Sequence, residues 1–167
     1  MNEQRYQAIS RPFQENPNAA LWLIWANKAL TVVGYVAYPV LLIVVALACA
    51  WMDLVKFVVV PALAFVLLSV FRARYNAPRP YEVLAIEPII HKDTIGKSFP
   101  SRHTFSMMMI ACSWLVWQPP VGIALIVCAC AMACARVIGG VHFPRDVVAG
   151  VAFALFCALV GYVLIPW

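Results

Sequence analysis

The stretch Val33–Trp51, VGYVAYPVLLIVVALACAW, carries no charged side chain. As an α-helix it would extend about 28 Å, close to the thickness of a bilayer's hydrocarbon core. A second apolar run, Val55–Phe71, follows, and the charges of Asp53 and Lys56 predict a tight turn between the two. Three more runs lie downstream: Thr104–Trp117, Val121–Ile138 and Val147–Ile165. Gln118-Pro119-Pro120 closes the first of these, and Pro120 suits the opening turn of the next. Pro39 and Pro61 fall inside runs, which membrane helices tolerate when neighbours satisfy the freed carbonyls. The expected fold is therefore all-α and membrane-integral: five transmembrane helices in a single domain covering residues 1–167. Pro17–Leu30, PNAALWLIWANKAL, is interrupted by Asn and Lys, and its tryptophans suit the headgroup zone. It predicts an N-terminal interfacial helix, with a sixth span as the alternative.

Composition agrees. Of 167 residues, 65% are hydrophobic and 11% charged, against about 25% charged in an ordinary soluble domain. The surface cannot be wetted, and lipid is the expected solvent. The opening residues, MNEQRYQAISRPFQENPN, are polar and lack the apolar core of a cleavable signal peptide. The net charge of +5 is gathered in short segments between apolar runs. That pattern favours an anionic substrate at a membrane over nucleic acid, which calls for a basic stripe on a solvated face. The six cysteines all lie in apolar runs, where they act as small hydrophobes. Cys130 and Cys134 share a helix face, but no His, Asp or Glu lies near them in sequence to complete a zinc site. Neither a metal nor a cofactor is expected.

Five spans place the first turn and the Gln118-Pro119-Pro120 turn on one side of the bilayer. The N-terminus, the long polar loop Arg72–His103 and the loop Gly139–Asp146 then share the other side. Three strings lie there: Arg72-x6-Arg79-Pro80, Pro100-Ser101-Arg102-His103, and Arg136-x5-His142-x3-Asp146. These are the parts of a phosphate-transfer site. Guanidinium groups match phosphate oxygens bidentately and stay charged, so Arg72, Arg79 and Arg136 can neutralise a phosphate and its transition state. Ser101 and the amides after Pro100 add donors at a helix start, where the dipole favours an anion. A neutral, oriented His142 can attack phosphorus, with Asp146 accepting a hydrogen bond from its other ring nitrogen. His103 can protonate the leaving oxygen and then activate water.

Each part has an ordinary alternative. Arginines near span ends snorkel to the interface, a histidine beside a helix end can cap it, and Asp146 can be the N-cap of the last span. Arg74, Lys92, Lys97 and Arg145 read as headgroup contacts or solvated loop charges, and His91 has no partner pattern. What these alternatives leave unexplained is that all three strings share one face.

Together the strings resemble the signature of the type 2 phosphatidic acid phosphatase (PAP2) family: Lys-x6-Arg-Pro, Pro-Ser-x-His, and Ser-Arg-x5-His-x3-Asp. The resemblance runs from Arg72 to Asp146. It implies phosphate binding by Arg72, Arg79, Ser101 and Arg136, with His103 as general acid, His142 as nucleophile and Asp146 behind it. No metal is implied. Arg72 departs from the family's lysine, keeping the charge with a different reach, and Ala135 departs from the serine before Arg136. Arg102 occupies the variable position and is a candidate contact for a second phosphate or a headgroup. The small size and the N-terminal segment resemble bacterial undecaprenyl diphosphate phosphatases. The expected partners are thus a lipid-linked phosphate and the bilayer, with no nucleic acid. Phosphatidylglycerophosphate, phosphatidate and polyprenyl-phosphosugar phosphates are alternative substrates. The competing classes are a non-catalytic anionic-lipid-binding protein, a transporter, whose charges should lie mid-span, and a haloperoxidase. The expected location is the bacterial plasma membrane with the site facing outward, although basic loops alone would place that face in the cytoplasm.

Overall fold

Local signals set most of the helix ends in the computed structural model, which describes residues Met1–Trp167. Asn2 caps a first helix, α1 (Glu3–Gln14), by accepting a hydrogen bond from the Arg5 amide. Asn16 accepts from the amides of Asn18 and Ala19, and Pro17 takes the first helical position. These caps start α2 (Pro17–Leu47). Cys49, in the left-handed region at φ 55°, helps reverse the chain into α3 (Trp51–Tyr75). Asn76 closes α3 in the same region at φ 44°. A single turn, α4 (Pro80–Val83), precedes a long loop. Three helices complete the chain: α5 (Arg102–Trp117), α6 (Pro119–Ile138) and α7 (Pro144–Ala158), the last running on into a π-helical segment, Leu159–Leu164.

All five predicted apolar runs are helical, but their boundaries differ from the sequence expectation in three places. Residues 17–30 are the N-terminal half of α2 and not a separate interfacial helix; Asn27 and Lys28 lie within its continuous run, Lys28 on an exposed face. At 31 residues α2 is about 46 Å long, well beyond a hydrocarbon core, so part of it must extend past that core. Asp53 and Lys56 do not form the turn. They lie in the first turn and a half of α3, paired at 3.1 Å, and Trp51 opens that helix instead of ending the one before. Finally, α7 begins at Pro144, which moves Asp146 from the cap to the third helical position.

Four helical segments are long and apolar enough to cross a membrane: Pro17–Leu47, Trp51–Val83, Pro119–Ile138 and Pro144–Leu164. Their outward faces present Leu21, Val36, Ile43, Leu63, Val127 and Val163 to the surroundings, as lipid contact requires. The protein is an integral membrane protein. The fifth bundle helix, α5, is the exception. It spans only about 24 Å, most of its residues are buried, and it packs chiefly on α6 and α7. Phe105, Met108, Met109 and Trp114 of α5 meet Leu41, Phe57, Leu68 and Ala154 in one continuous core.

Backbone groups freed by proline are re-satisfied within the bundle. Pro61 leaves the Phe57 carbonyl without its helical donor, and the Tyr38 hydroxyl donates to it at 2.9 Å. That bond ties α2 to α3. On the polar side the N-terminus and both polar loops do converge. Gln14 donates to the Glu87 carbonyl at 3.2 Å, and the buried Tyr6 ring lies where a side chain on Gly140 would have to go.

Candidate active site

The site forms where the C-terminal ends of α3 and α6 meet the N-terminal ends of α5 and α7. Arg136 lies in the last turn of α6, and the chain then folds back on itself. The amides of Val141 and His142 both donate to the Arg136 carbonyl, at 3.2 and 3.3 Å. The six-residue separation of Arg136 and His142 is thus a local loop with a definite closure. Gly140, at φ 77°, makes its tight bend, and any side chain there would strike Tyr6.

His142 is fully buried, with Nδ1 3.5 Å from Asp146 Oδ2. Asp146 reaches back from α7 to accept the Phe143 amide at 3.0 Å. Its backbone carbonyl accepts the Ser101 amide at 2.8 Å, fastening the start of α5 to that of α7. Gly150 permits this approach, since a Cβ there would lie 2.7 Å from the Ser101 carbonyl. Burial, opposed by the neighbouring Asp146 carboxylate and aided by Arg79 and Arg136, pushes the His142 imidazole down to about 4. The ring is therefore neutral at neutral pH, as a nitrogen nucleophile must be.

The arginines are placed together but engaged differently. Arg72 donates through Nη1 to the carbonyls of Ser98, at 3.2 Å, and Pro100, and through Nη2 to the carbonyl of Lys97. Arg79 donates from Nε to the Gly96 carbonyl at 3.0 Å and from Nη1 to the Val141 carbonyl at 3.1 Å. Both hold loops in place while keeping N–H groups to spare, since a guanidinium has five. Arg136 makes no side-chain hydrogen bond, and its buried Nε has no partner. Ser101 is fully buried with its hydroxyl 3.0 Å from that of Thr104. Arg102 lays its guanidinium 5.7 Å from the centre of the Phe65 ring on α3. His103, one residue on, is half-buried and within electrostatic reach of Arg136 and His142.

A cavity of about 650 Å³ begins at Arg102 and His103 and runs between α2, α3 and α5. Its wall includes Gly34, Tyr38, Pro61, Phe65 and Ile110, so it is apolar away from its charged end.

The profile of the PAP2 superfamily matches residues 53–167, which include every residue of the three strings. This chain belongs to the PAP2 superfamily. The PAP2 chain is 30% identical over 146 residues to a lipid A 1-phosphatase of Rhizobium johnstonii, covering 83% of this chain and 59% of that protein. It is 31% identical over 85 residues to a lipid A 1-phosphatase of Rhizobium etli, covering 51% of this chain and 36% of that protein. It therefore spans well under two thirds of the length of either curated relative. Its fold is similar to the crystal structure of Aquifex aeolicus LpxE, with a TM-score of 0.75 and 22% identity over 96% of this chain and 94% of that one. It also resembles a PAP2-type phosphatidylglycerolphosphate phosphatase from Bacillus subtilis, with a TM-score of 0.65 and 22% identity over 96% of this chain and 84% of that one.

Two residues that the PAP2 strings do not contain also belong to the site. Lys92, read from sequence as a headgroup contact or a solvated loop charge, is half-buried beside the arginines. Burial, reinforced by Arg79, Arg136, Arg102 and Arg72, pushes its ammonium down to about 8. Ser98 is fully buried, with Oγ 2.5 Å from Asp146 Oδ2 and 3.3 Å from His142 Nδ1. Neither carries a spacing signal, because the loop brings both to the site from outside the strings.

Proposed function

We propose that this protein is a lipid phosphatase that cleaves a phosphate or diphosphate from a lipid headgroup through a phosphohistidine on His142. The observation that carries the reading is the contrast at one point in space between a neutral, carboxylate-backed His142 and a buried Arg136 that no protein group satisfies. A guanidinium whose buried Nε has no partner is costly, and a phosphate oxygen is the partner that charge best suits.

In this mechanism the free donors of Arg72, Arg79 and Arg136, with Ser101 and the amides opening α5, hold the phosphate. His142 Nε2 attacks phosphorus, the bond to the leaving oxygen breaks, and His103 supplies that oxygen's proton. His103 then removes a proton from water, which attacks phosphorus and releases His142. Asp146 stabilises the charged ring throughout. The apolar cavity ending at His103 supports a lipid as the leaving group, with the chain between α2, α3 and α5. Arg102, on the rim of that cavity, is the candidate headgroup contact.

Two substrate readings follow from different observations. The names of the Rhizobium relatives put lipid A 1-phosphate first, whereas the resemblance of the sequence to bacterial undecaprenyl diphosphate phosphatases favours undecaprenyl diphosphate. A panel of these two with phosphatidylglycerophosphate, assayed for phosphate release in detergent, decides between them. Activity should persist in EDTA and be blocked by vanadate; loss in EDTA would overturn the metal-free mechanism. The site is proposed to face outward from a bacterial plasma membrane. Labelling of a Gln4→Cys variant in a Cys49→Ala background by an impermeant thiol reagent on intact cells tests this, because α1 lies on the active-site face.

A further inference from the structure

Ser98 touches both members of the His142–Asp146 pair. Its backbone is pinned from two sides: the amide donates to the Ala77 carbonyl at 2.9 Å, and the carbonyl accepts from Arg72 at 3.2 Å. The hydroxyl therefore has little freedom of place, only of rotation. It carries one proton, and an ionised carboxylate can only accept, so that proton goes to Asp146 Oδ2 at 2.5 Å. Its lone pairs are then what His142 Nδ1 meets at 3.3 Å, and Nδ1 completes that contact only as an N–H donor. The direct separation of Nδ1 from Asp146 Oδ2, 3.5 Å, is long for a hydrogen bond. The shorter route between the two runs through the serine.

We propose that Ser98 is a positioning residue for the nucleophile: its hydroxyl bridges Asp146 to His142, holding the imidazole as the Nδ1–H tautomer with Nε2 free for phosphorus. This rests on the phosphohistidine reading above. When the Nε2–P bond forms and the bond to the leaving oxygen breaks, the ring becomes cationic while its Nδ1 proton stays in place. Ser98 then passes the field of Asp146 to that proton, and no proton moves through the hydroxyl. The role is also a reason for Arg72 to grip the Ser98 carbonyl, since a loop free to slide would lose the alignment.

The test compares Ser98→Ala with Ser98→Cys, which retains side-chain volume but bonds weakly. Both should lower kcat about 10- to 100-fold, the loss expected for a hydrogen bond to a charged group, with KM changed by less than about 3-fold. Ser98→Ala should cost little more in an Asp146→Ala background, because the bridge has already lost its far end. The ring ¹⁵N shifts of histidine-labelled protein in detergent give a readout that a merely structural role would not move. With only three histidines in the chain, His91→Gln and His103→Asn suffice to assign His142. Wild type should be Nδ1–H, and both Ser98 variants should admit the Nε2–H form. A wild-type His142 in the Nε2–H form overturns the proposal, as does a kcat within about 3-fold of wild type, or a loss of activity that only follows loss of folded protein. The labelled spectra need no substrate. A wild-type protein inactive on every lipid phosphate would thus overturn the phosphatase reading without deciding the tautomer.

Discussion

Arg72 and Arg136 occupy equivalent places at the ends of two helices, each in a last turn where the helix dipole favours a cation. They are also buried alike, at 7% and 4% exposure. Their partners separate them. Arg72 donates to three backbone carbonyls of the segment that leads into α5, whereas Arg136 has none. One cation holds a loop in place, and the other has its donors free. A buried charge without a protein partner is retained against its desolvation cost, which is the mark of a group kept for a ligand.

The difference can be broken by experiment. His142→Ala, which removes the proposed nucleophile, should lower turnover by at least about 10³-fold in a detergent phosphate-release assay. A near-normal rate would end the phosphohistidine reading and make the arginines' contrast irrelevant to catalysis. Arg136→Ala should lower kcat by about 10²- to 10³-fold, as loss of a transition-state charge partner does, while the thermal midpoint stays level or rises. Arg72→Ala should instead destabilise the fold by about 2–4 kcal/mol, since three backbone carbonyls, two of them buried, lose a charged donor. Thermal unfolding of the two variants side by side is the check. If Arg136→Ala melts as early as Arg72→Ala, the two arginines are doing the same work.

The smallest expected effect is on pH dependence. His142 lies at about 4 in the folded protein and at 6.5 when unperturbed, so between these values the unfolded chain binds more protons. Folded stability that is full above pH 6.5 should therefore fall as pH falls through that interval. His142→Gln should flatten the slope of the thermal midpoint against pH. An equal slope in the variant would show that the loop closed by Arg136 does not desolvate the ring.

Much of the site was legible because its closest relationships are short in sequence. The loop from Arg136 to His142 closes on a single carbonyl, and Asp146 lies one helical turn further on, so spacing alone announces them. Ser98 and Lys92 were invisible for the opposite reason. Ser98 is 44 residues from His142 and 48 from Asp146, and only the fold of the loop after α4 joins them. The misplaced boundaries have a similar source. Charged Asp53 and Lys56 resemble a turn, yet within α3 they neutralise each other across three residues, and the reversal falls to Cys49 in the left-handed region.

Hydropathy, which needs no partner, was enough to establish a helical membrane protein, and residue type at short spacing was enough to point to the class of chemistry proposed. Which donors are free for a ligand was decided by tertiary structure alone. The carbonyls of Lys97, Ser98 and Pro100 compete with any phosphate for Arg72, and no such competitor reaches Arg136. A hydrogen bond depends on where two distant segments meet, and sequence states only what each could offer.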